Sequence, residues 1–307
     1  MKNYYLGGDK EMEGNEKMKR VYNALGRMVL IALFAVVLTL IPAEKAYAAI
    51  ISNVLIGDVY YTLDTSTLEA KVKGKVSVVN DINIPSTVEY NSKTYTVIAI
   101  NDEAFMNSSI TSVTIPDTVT SIGNSAFSGC SGLTSIDIPD GVTSIGNSAF
   151  SGCSGLTSID IPDGVTGIGQ SAFSGCSGLT SIDIPDGVTY IGKRAFYGCS
   201  GLTSIDIPDG VTIINEETFY DCSGLISIDI PDGVTAIWDE AFYGCSGLTS
   251  IDIPDIFSGF VNAIHFGNCS PSKTWKYVTR TNEIGTDIAC AVKFVFNGNK
   301  FIIGVIN

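Results

Sequence analysis

The stretch IPDGVTSIGNSAFSGCSGLTSID occupies Ile138–Asp160, and the chain starts the same 23-residue stretch again at Ile161. Three residue types recur at that spacing in about six copies: a proline, a phenylalanine and a cysteine. The prolines are Pro116, Pro139, Pro162, Pro185, Pro208, Pro231 and Pro254. The phenylalanines are Phe127, Phe150, Phe173, Phe196, Phe219 and Phe242. The cysteines are Cys130, Cys153, Cys176, Cys199, Cys222 and Cys245. Three columns with one common spacing indicate an internal repeat.

The segment LTSIDIP of each copy predicts a short β-strand. Leu133, Ile136 and Ile138 follow the L-x-x-L-x-L spacing of leucine-rich repeats. Because side chains alternate along a strand, Ile136 and Ile138 are expected to be buried and Asp137 to face outward.

The rest of each copy predicts a turn, a second extended piece and a helical turn. IPDG has proline and glycine placed for a type I turn, and VTSIG is short and extended. In SAFSGC, the i, i+1, i+4 spacing of Ala126, Phe127 and Cys130 is typical of one helical turn that buries a single face. A glycine then closes the turn.

A single copy is too small to bury its own apolar residues, whereas stacked copies bury them against each other. Strands that pair in parallel at about 4.8 Å would form a ladder about 30 Å long from six copies. The repeat therefore predicts a solenoid.

The pattern L-T-S-I-x-I-P-D-G-V-T-S-I-G-x-x-A-F-x-G-C, from about Thr94 to Pro254, resembles the BspA-like (Treponema pallidum-type) leucine-rich repeats of bacterial surface proteins. The fold expected from the pattern and this resemblance is an α/β, strand-rich, right-handed solenoid with short helical turns. The resemblance implies a secreted or surface-exposed protein that binds host proteins or other cells.

Residues 1–48 predict a secretory signal peptide. Basic residues precede the 14-residue apolar run Met28–Ile41, and Ala46 and Ala48 form an A-x-A site with expected cleavage near Ala48. The alternative, an uncleaved membrane anchor, requires nearer 20 apolar residues. The protein is therefore expected to contact the membrane only through this peptide, before cleavage. No C-terminal sorting motif is recognised after the repeats, so covalent anchoring is not expected.

The chain is predicted to carry a β-rich cap on each side of the repeats, which span residues 94–255. Residues 49–93 and the start of the repeats predict two hairpins, with turns near Asp64–Ser66 and Asn91–Lys93. Residues 256–307 hold a degraded copy, followed by Asn297–Gly298 between two apolar runs, which is a hairpin signal. The alternative for this end is a truncated domain with an exposed strand edge.

Residues 49–307 carry 11 basic and 27 acidic residues, a net charge of −16. Such a chain is not expected to bind nucleic acid or an anionic membrane by general electrostatics. The expected partners are proteins or glycans on host or neighbouring cells.

The six repeated cysteines predict a reduced, buried ladder, because each lies where a small apolar group is needed. Disulfides are the alternative, since secreted chains use them and adjacent coils come within reach. Cys269 and Cys290 lie outside the ladder and are the candidate disulfide.

One column of aspartates is predicted on the outward side of the strands, beside Thr/Ser pairs such as Thr134–Ser135. These candidate binding residues are Asp137, Asp160, Asp183, Asp206, Asp229 and Asp252. Carboxylates suit Ca²⁺, but the loops lack a recognised calcium pattern, so no metal or other cofactor is predicted. A nearly uniform Thr/Ser/Asp face favours an extended partner over a small molecule.

The copies differ in a directional way at the residue after each phenylalanine, which is serine in the first three copies and tyrosine in the next three. Exposed aromatic residues are frequent anchors at interfaces. The candidates are Tyr190, Tyr197, Tyr220, Tyr243 and Trp238. The alternative is that these rings only cover the turn side of the coil. Lys193–Arg194 is expected to face Glu216–Glu217 of the next copy.

No catalytic constellation is found in the sequence. The only histidine, His265, has no neighbouring nucleophile or metal ligand, and the motifs of hydrolases, nucleotide-binding loops and metalloproteases are missing. The sequence predicts a non-enzymatic surface or secreted binding protein of adhesin type. The alternative is a structural scaffold of the cell surface without a dedicated ligand.

Overall fold

The computed structural model describes residues 49–76 and 79–252, and the backbone of five short strands between residues 274 and 305. Side chains are described up to Thr249. The predicted signal peptide and the degraded copy at 256–273 lie outside the described residues. In the part of the chain that is described, no helix is long and apolar enough to cross a membrane.

The N-terminal region is a β-sheet built from antiparallel hairpins. Its strands are β1 (Ile50–Ile56), β2 (Val59–Asp64), β3 (Glu69–Lys75), β4 (Asp81–Asn83), β5 (Thr87–Tyr90) and β6 (Lys93–Ile100). The order in the main sheet is β1-β2-β3-β6-β5, with β3 and β6 parallel. Both predicted hairpins are present, since β2 pairs with β3 and β5 pairs with β6. The turn between β5 and β6 consists of Asn91 (φ 50°) and Ser92 (φ 59°), as a two-residue type I′ hairpin requires.

The coils are joined through two columns of short parallel strands. Further elements are β7 (Ser112–Thr114), β8 (Ser121–Ile122), β9 (Gly167–Ile168), β10 (Tyr190–Ile191), β11 (Ile213–Ile214), β12 (Ser227–Asp229), β13 (Ala236–Ile237) and β14 (Ser250–Asp252). The first column follows the LTSIDIP segments. It consists of the pairing of β4 with β7, bridges between successive aspartates, and the pairing of β12 with β14. The second column follows the VTSIG segments. It consists of the pairing of β6 with β8, bridges between Ile122, Ile145 and Ile168, and the pairings of β9 with β10 and of β11 with β13. The predicted parallel solenoid is confirmed.

The solenoid begins earlier than the repeat pattern indicates. β4 pairs in parallel with β7, with Asp81 opposite Ser112. The end of β6 pairs with β8, with Ile100 opposite Ile122. The N-terminal region therefore supplies β4 to the first column and the end of β6 to the second, and β5 with the start of β6 forms a hairpin inserted between them.

The segment predicted as a helical turn is a series of reverse turns, and the described residues contain no helix. The N–H groups of Ala126, Ser128 and Cys130 donate to carbonyls three residues earlier, at 3.1–3.3 Å. The intervening N–H groups, such as that of Phe127, donate to the next coil at 2.6–2.8 Å. Ser125 (φ 53°) and Gly129 (φ 74°) are left-handed, which breaks a helix. The prediction of helical turns, and with it the α part of the α/β class, was wrong because half of the donors bond between coils.

The core is a continuous column of identical side chains. Seven phenylalanine rings, from Phe105 to Phe242, stack with centroids 5.3–5.6 Å apart and planes within 14° of parallel. Centroid distances of this size between parallel rings correspond to offset stacking. Leucine, isoleucine and valine of each copy complete the buried cluster.

Close contact between coils explains one repeated glycine. A Cβ placed on Gly146 would lie 2.7 Å from the backbone of Gly123 in the preceding coil. No side chain fits there without a shift of the backbone. In the last two described copies this position holds Asn215 and Trp238.

The C-terminal strands are β15 (Thr274–Trp275), β16 (Tyr277–Val278), β17 (Ile288–Ala289), β18 (Val292–Asn297) and β19 (Lys300–Val305). β16 continues the first column, pairing in parallel with β14. β18 and β19 form an antiparallel hairpin in which Asn297 is opposite Lys300, as the sequence predicts.

Candidate functional site

The six repeated cysteines are buried and form no disulfides, and each has the same structural contact. Every thiol lies 3.0–3.2 Å from the carbonyl oxygen of the phenylalanine in the preceding coil. The oxygen of Phe127, for example, accepts from the N–H of Cys130 and the Sγ of Cys153. The cysteine fills space, as predicted, and also donates a weak hydrogen bond that the sequence did not reveal.

Burial makes these thiols poor nucleophiles. Removal from water raises the pKa of Cys130 to about 11 and that of Cys199 to about 12. Burial also raises the pKa of Cys153, Cys176 and Cys222. Because the thiolate is the reactive form, the ladder is unsuited to nucleophilic catalysis.

The strand aspartates form an exposed stripe. Asp137, Asp160, Asp183, Asp206 and Asp229 are all exposed, and several are opposite each other in parallel bridges. Asp252 extends the stripe through its backbone pairing with Asp229, while its side chain lies outside the described side chains. The structure therefore brings the first five carboxylates to one face, which we call the acidic face.

The hydroxyl groups of the threonines beside the acidic face form hydrogen bonds between successive coils. The Oγ1 atoms of Thr157, Thr180 and Thr203 each donate to the carbonyl oxygen of the threonine one coil earlier, at 3.3 Å. The predicted Thr/Ser/Asp surface is thus polar mainly through its aspartates and serines.

Four aspartates line a cavity of about 410 Å³ at the edge of the acidic face. They are Asp206, Asp209, Asp229 and Asp232. Asp229 and Asp232 have further interactions within the protein. Among the described residues, no group of three or more His, Cys, Asp or Glu side chains is arranged to hold a metal ion. The cavity adds to the negative potential of this face.

We number the coils 1 to 6 by their cysteines, from Cys130 onward. The three predicted tyrosines form a stacked ladder on the turn side of coils 4–6. The ring centroids of Tyr197 and Tyr220 are 4.8 Å apart, and those of Tyr220 and Tyr243 are 4.7 Å apart. The Arg194 guanidinium lies 5.8 Å from the Tyr197 centroid. Partial removal from water raises the pKa of Tyr220. All three rings are half-buried, so their outer edges remain available to a partner.

An ion-pair cluster borders the tyrosine ladder, as the sequence predicts. Arg194 Nε and Nη2 each donate to Glu217 at 2.7 Å, and Lys193 Nζ lies 2.8 Å from Glu216. The hydrogen bonds from Arg194 hold the pKa of Glu217 below its ordinary value. A bidentate arrangement of this kind fixes the orientation of Arg194 against Tyr197.

Tyr190 and Trp238 are more exposed than the ladder, at 54% and 53%. Two residues that sequence reasoning missed accompany them. Ile213 (38% exposed) occupies the position of Tyr190 one coil later, and Ile226 (53% exposed) replaces a threonine beside the acidic face. Both were detectable, because each departs from the repeat at an outward-facing position.

Two further predictions lie outside the described residues. These are the candidate disulfide Cys269–Cys290 and the interpretation of His265 as a structural histidine.

The sequence and the structure were compared with known proteins. A model of the BspA type leucine rich repeat region matches residues 98–225 and 189–291, with six copies. No curated protein matches the chain.

Two solved structures are similar to the protein. The Treponema pallidum leucine rich repeat protein is 27% identical with a TM-score of 0.57, and the match covers 64% of this chain and 90% of that one. A leucine-rich repeat protein from Eubacterium ventriosum is 26% identical with a TM-score of 0.50, covering 61% of this chain and 50% of that one. Together with the parallel ladder and its repeated Phe and Cys columns, these matches show that the chain belongs to the BspA-type leucine-rich repeat family.

Proposed function

We propose that the protein is a secreted or cell-surface binding protein of adhesin type, with no catalytic role. Its partner, a protein or a glycan, would bind to coils 4–6 through the tyrosine ladder and the acidic face of the same coils. The family match supports the surface location, since the sequence resembles repeats of bacterial surface proteins. The expected signal peptide at residues 1–48 fits the same location.

The observation that carries the proposal is the change of the turn-side column from serine to tyrosine. Ser128, Ser151 and Ser174 occupy the positions that Tyr197, Tyr220 and Tyr243 occupy later, and all six are half-buried. The phenylalanine beneath each of them is fully buried, whether serine or tyrosine follows it. Because the core packs equally well with serine at this position, we attribute the three tyrosines to partner binding rather than to packing.

The neighbouring residues also suit an interface. Within the six coils, the exposed large apolar side chains all lie in coils 4–6, at Tyr190, Ile213, Ile226 and Trp238. Aromatic residues dominate the energetics of many interfaces, and nearby charges guide the approach of a partner. The acidic face would favour a basic protein surface or a hydroxyl-rich glycan.

The proposal is tested by binding of chain 49–307 to arrays of host extracellular proteins and glycans, followed by affinity measurement. We expect the variant Tyr197→Ser, Tyr220→Ser, Tyr243→Ser to lose at least about tenfold in affinity for the partner found. The matched control is Ser128→Ala, Ser151→Ala, Ser174→Ala, which alters the same column in coils 1–3 and is expected to bind normally.

A scaffold role is the second candidate, and the uniform exterior of coils 1–3 favours it. If neither the tyrosines nor Asp→Asn changes on the acidic face affect attachment, while the intact stack is still required, the scaffold hypothesis replaces the binding hypothesis.

A further inference from the structure

A cleft of about 460 Å³ lies between the N-terminal sheet and the first series of turns. β1 and β2 contribute Asn53 and Tyr60, and the end of β3 contributes Lys73 and Lys75. Asn107 and Ser108 lie on the opposite wall. The cleft is separate from the tyrosine ladder, which lies in coils 4–6.

The charge of this cleft is opposite to that of the protein. No Asp or Glu side chain lines it. Residues 49–249 contain six Lys or Arg side chains, of which two line this cleft. Lys193 and Arg194 are neutralised by glutamates, whereas neither Lys73 nor Lys75 is in a salt bridge within the described part of the chain. Lys75 Nζ donates to the carbonyl oxygen of Val76 at 3.2 Å, which leaves its charge in place. The cleft therefore carries positive charge without a carboxylate partner in an acidic protein.

Irregular backbone shapes the cleft and supplies polar groups. β1 has a register shift between Ile51 and Val54, and Asn53 within it has φ 61°. Asn107, on the other wall, has φ 54°. β-Bulges redirect side chains and are frequent near binding sites. Two left-handed asparagines thus line the cleft from opposite sides.

Ser108 adds a second, independent indication. Its Oγ is the single buried side-chain nitrogen or oxygen without a hydrogen-bond partner among the described residues. Buried polar groups are usually paired, and exceptions often lie where a ligand or water is missing. A ligand atom in the cleft, together with rotation of the Ser108 side chain toward it, would satisfy it.

The remaining wall is apolar. It includes Tyr60 and Met106, and Met106 is 42% exposed. Small-molecule sites typically enclose 300–1,000 Å³ and combine apolar walls with a few placed polar groups. We infer that this cleft binds a small organic anion, with its carboxylate or sulfate at Lys73 and Lys75 and its body against Tyr60 and Met106. This inference does not depend on the proposed function.

The experiment uses chain 49–307 and three probes: glucuronate, citrate and glucose. Calorimetric titration is expected to show salt-sensitive binding of glucuronate and little binding of glucose, which has a similar ring without the carboxylate. The double variant Lys73→Gln, Lys75→Gln is expected to weaken binding at least about tenfold. Lys93→Gln removes one positive charge at the tip of the β5–β6 hairpin and serves as the matched control. Thermal unfolding verifies that each variant is folded.

The comparison of probes identifies the source of the anion. Tighter binding of glucuronate than citrate supports an acidic sugar, and the reverse supports a free polycarboxylate. Equal binding of glucuronate and glucose overturns the inference, as does an unchanged affinity in the folded double variant. Absence of binding by both anions also overturns it.

Discussion

Coils 1–3 and coils 4–6 have the same interior and different exteriors. In both halves the stacked phenylalanines, the buried thiols and the parallel bridges repeat with little change. On the outside, the turn-side column is Ser128, Ser151 and Ser174 in the first half and three stacked tyrosines in the second. Exposed large apolar residues follow the same division, with Ile213 and Trp238 in the second half.

The difference separates the residues that make the solenoid from those that distinguish one surface from another. The side chain at an interior position must pack against the coil above and the coil below, so nearly all copies have the same residue type there. An exterior position has no such constraint. The positions at which copies differ are therefore the first place to look for recognition, and stability measurements can test whether the two interiors are equivalent.

Removal of a stacked ring is expected to have the largest effect. Phe150→Ala in coil 2 and Phe219→Ala in coil 5 each delete a fully buried ring between two others. Each is expected to lower the free energy of unfolding by about 3–5 kcal/mol. Urea unfolding followed by circular dichroism measures both, and equivalent interiors predict values within about 1 kcal/mol of each other.

Phe150→Leu and Phe219→Leu are the controls for the ring deletions, because they keep most of the apolar volume and should cost less. A difference of more than about 2 kcal/mol between the two alanine variants would show that the halves are packed differently.

The buried thiols predict a loss of stability at alkaline pH. In the unfolded chain a cysteine ionises near pH 8.5, whereas burial raises the pKa of Cys130 to about 11 and of Cys199 to about 12 in the folded protein. Between about pH 9 and 11 the unfolded state has lost protons that the folded state retains. Stability is therefore complete below about pH 8.5 and falls as the pH rises, by about 1.4 kcal/mol per pH unit for each thiol.

Substitutions in the two halves test whether every thiol contributes. Cys153→Ser and Cys222→Ser each remove one ionising group and keep a hydroxyl donor near the phenylalanine carbonyl. Each is expected to reduce the slope of unfolding free energy against pH by about 1.4 kcal/mol per unit above pH 9. An unchanged slope in either variant would mean that its thiol is already accessible to ionisation when folded.

The repeat made the solenoid, the parallel pairing and the burial of each column predictable from sequence. Ile136 and Ile138 have the alternation of a short strand that is buried on one face, and Leu133 completes the L-x-x-L-x-L spacing of the repeat. The hairpins were also predictable, since Asn91 and Asn297 precede residues suited to tight turns. These features depend on local chemistry and on periodicity.

Contacts between coils were not predictable in the same way. The spacing of Ala126, Phe127 and Cys130 fits a helical turn and a series of reverse turns equally well. The deciding hydrogen bonds run to the next coil and leave no pattern within one copy. The strand β4 was missed for another reason, because the β5–β6 hairpin separates its INIP motif from the rest of the copy. Ile226 stands where the other copies have threonine, and this departure from the repeat is the signal in the sequence that marks its exposed position.

The smallest expected effect concerns the ion pair between coils 4 and 5, which is present only in the second half of the repeats. Arg194 and Glu217 replace serines such as Ser148 and Ser171 at equivalent positions, and Arg194 is largely exposed. Arg194→Gln is therefore expected to cost little stability at pH 7, and less still in high salt. Arg194 lowers the pKa of Glu217, so this stabilisation is present above the ordinary carboxyl pKa and disappears as the pH falls through the lowered value. Urea unfolding at pH 7 and at pH 3 is expected to show a larger difference between wild type and variant at pH 7 than at pH 3, with Lys93→Gln as the charge-matched control. An equal difference at both pH values would mean that Arg194 acts through packing on Tyr197, and the exterior of coils 4–6 would then be distinguished by its aromatic residues rather than by this ion pair.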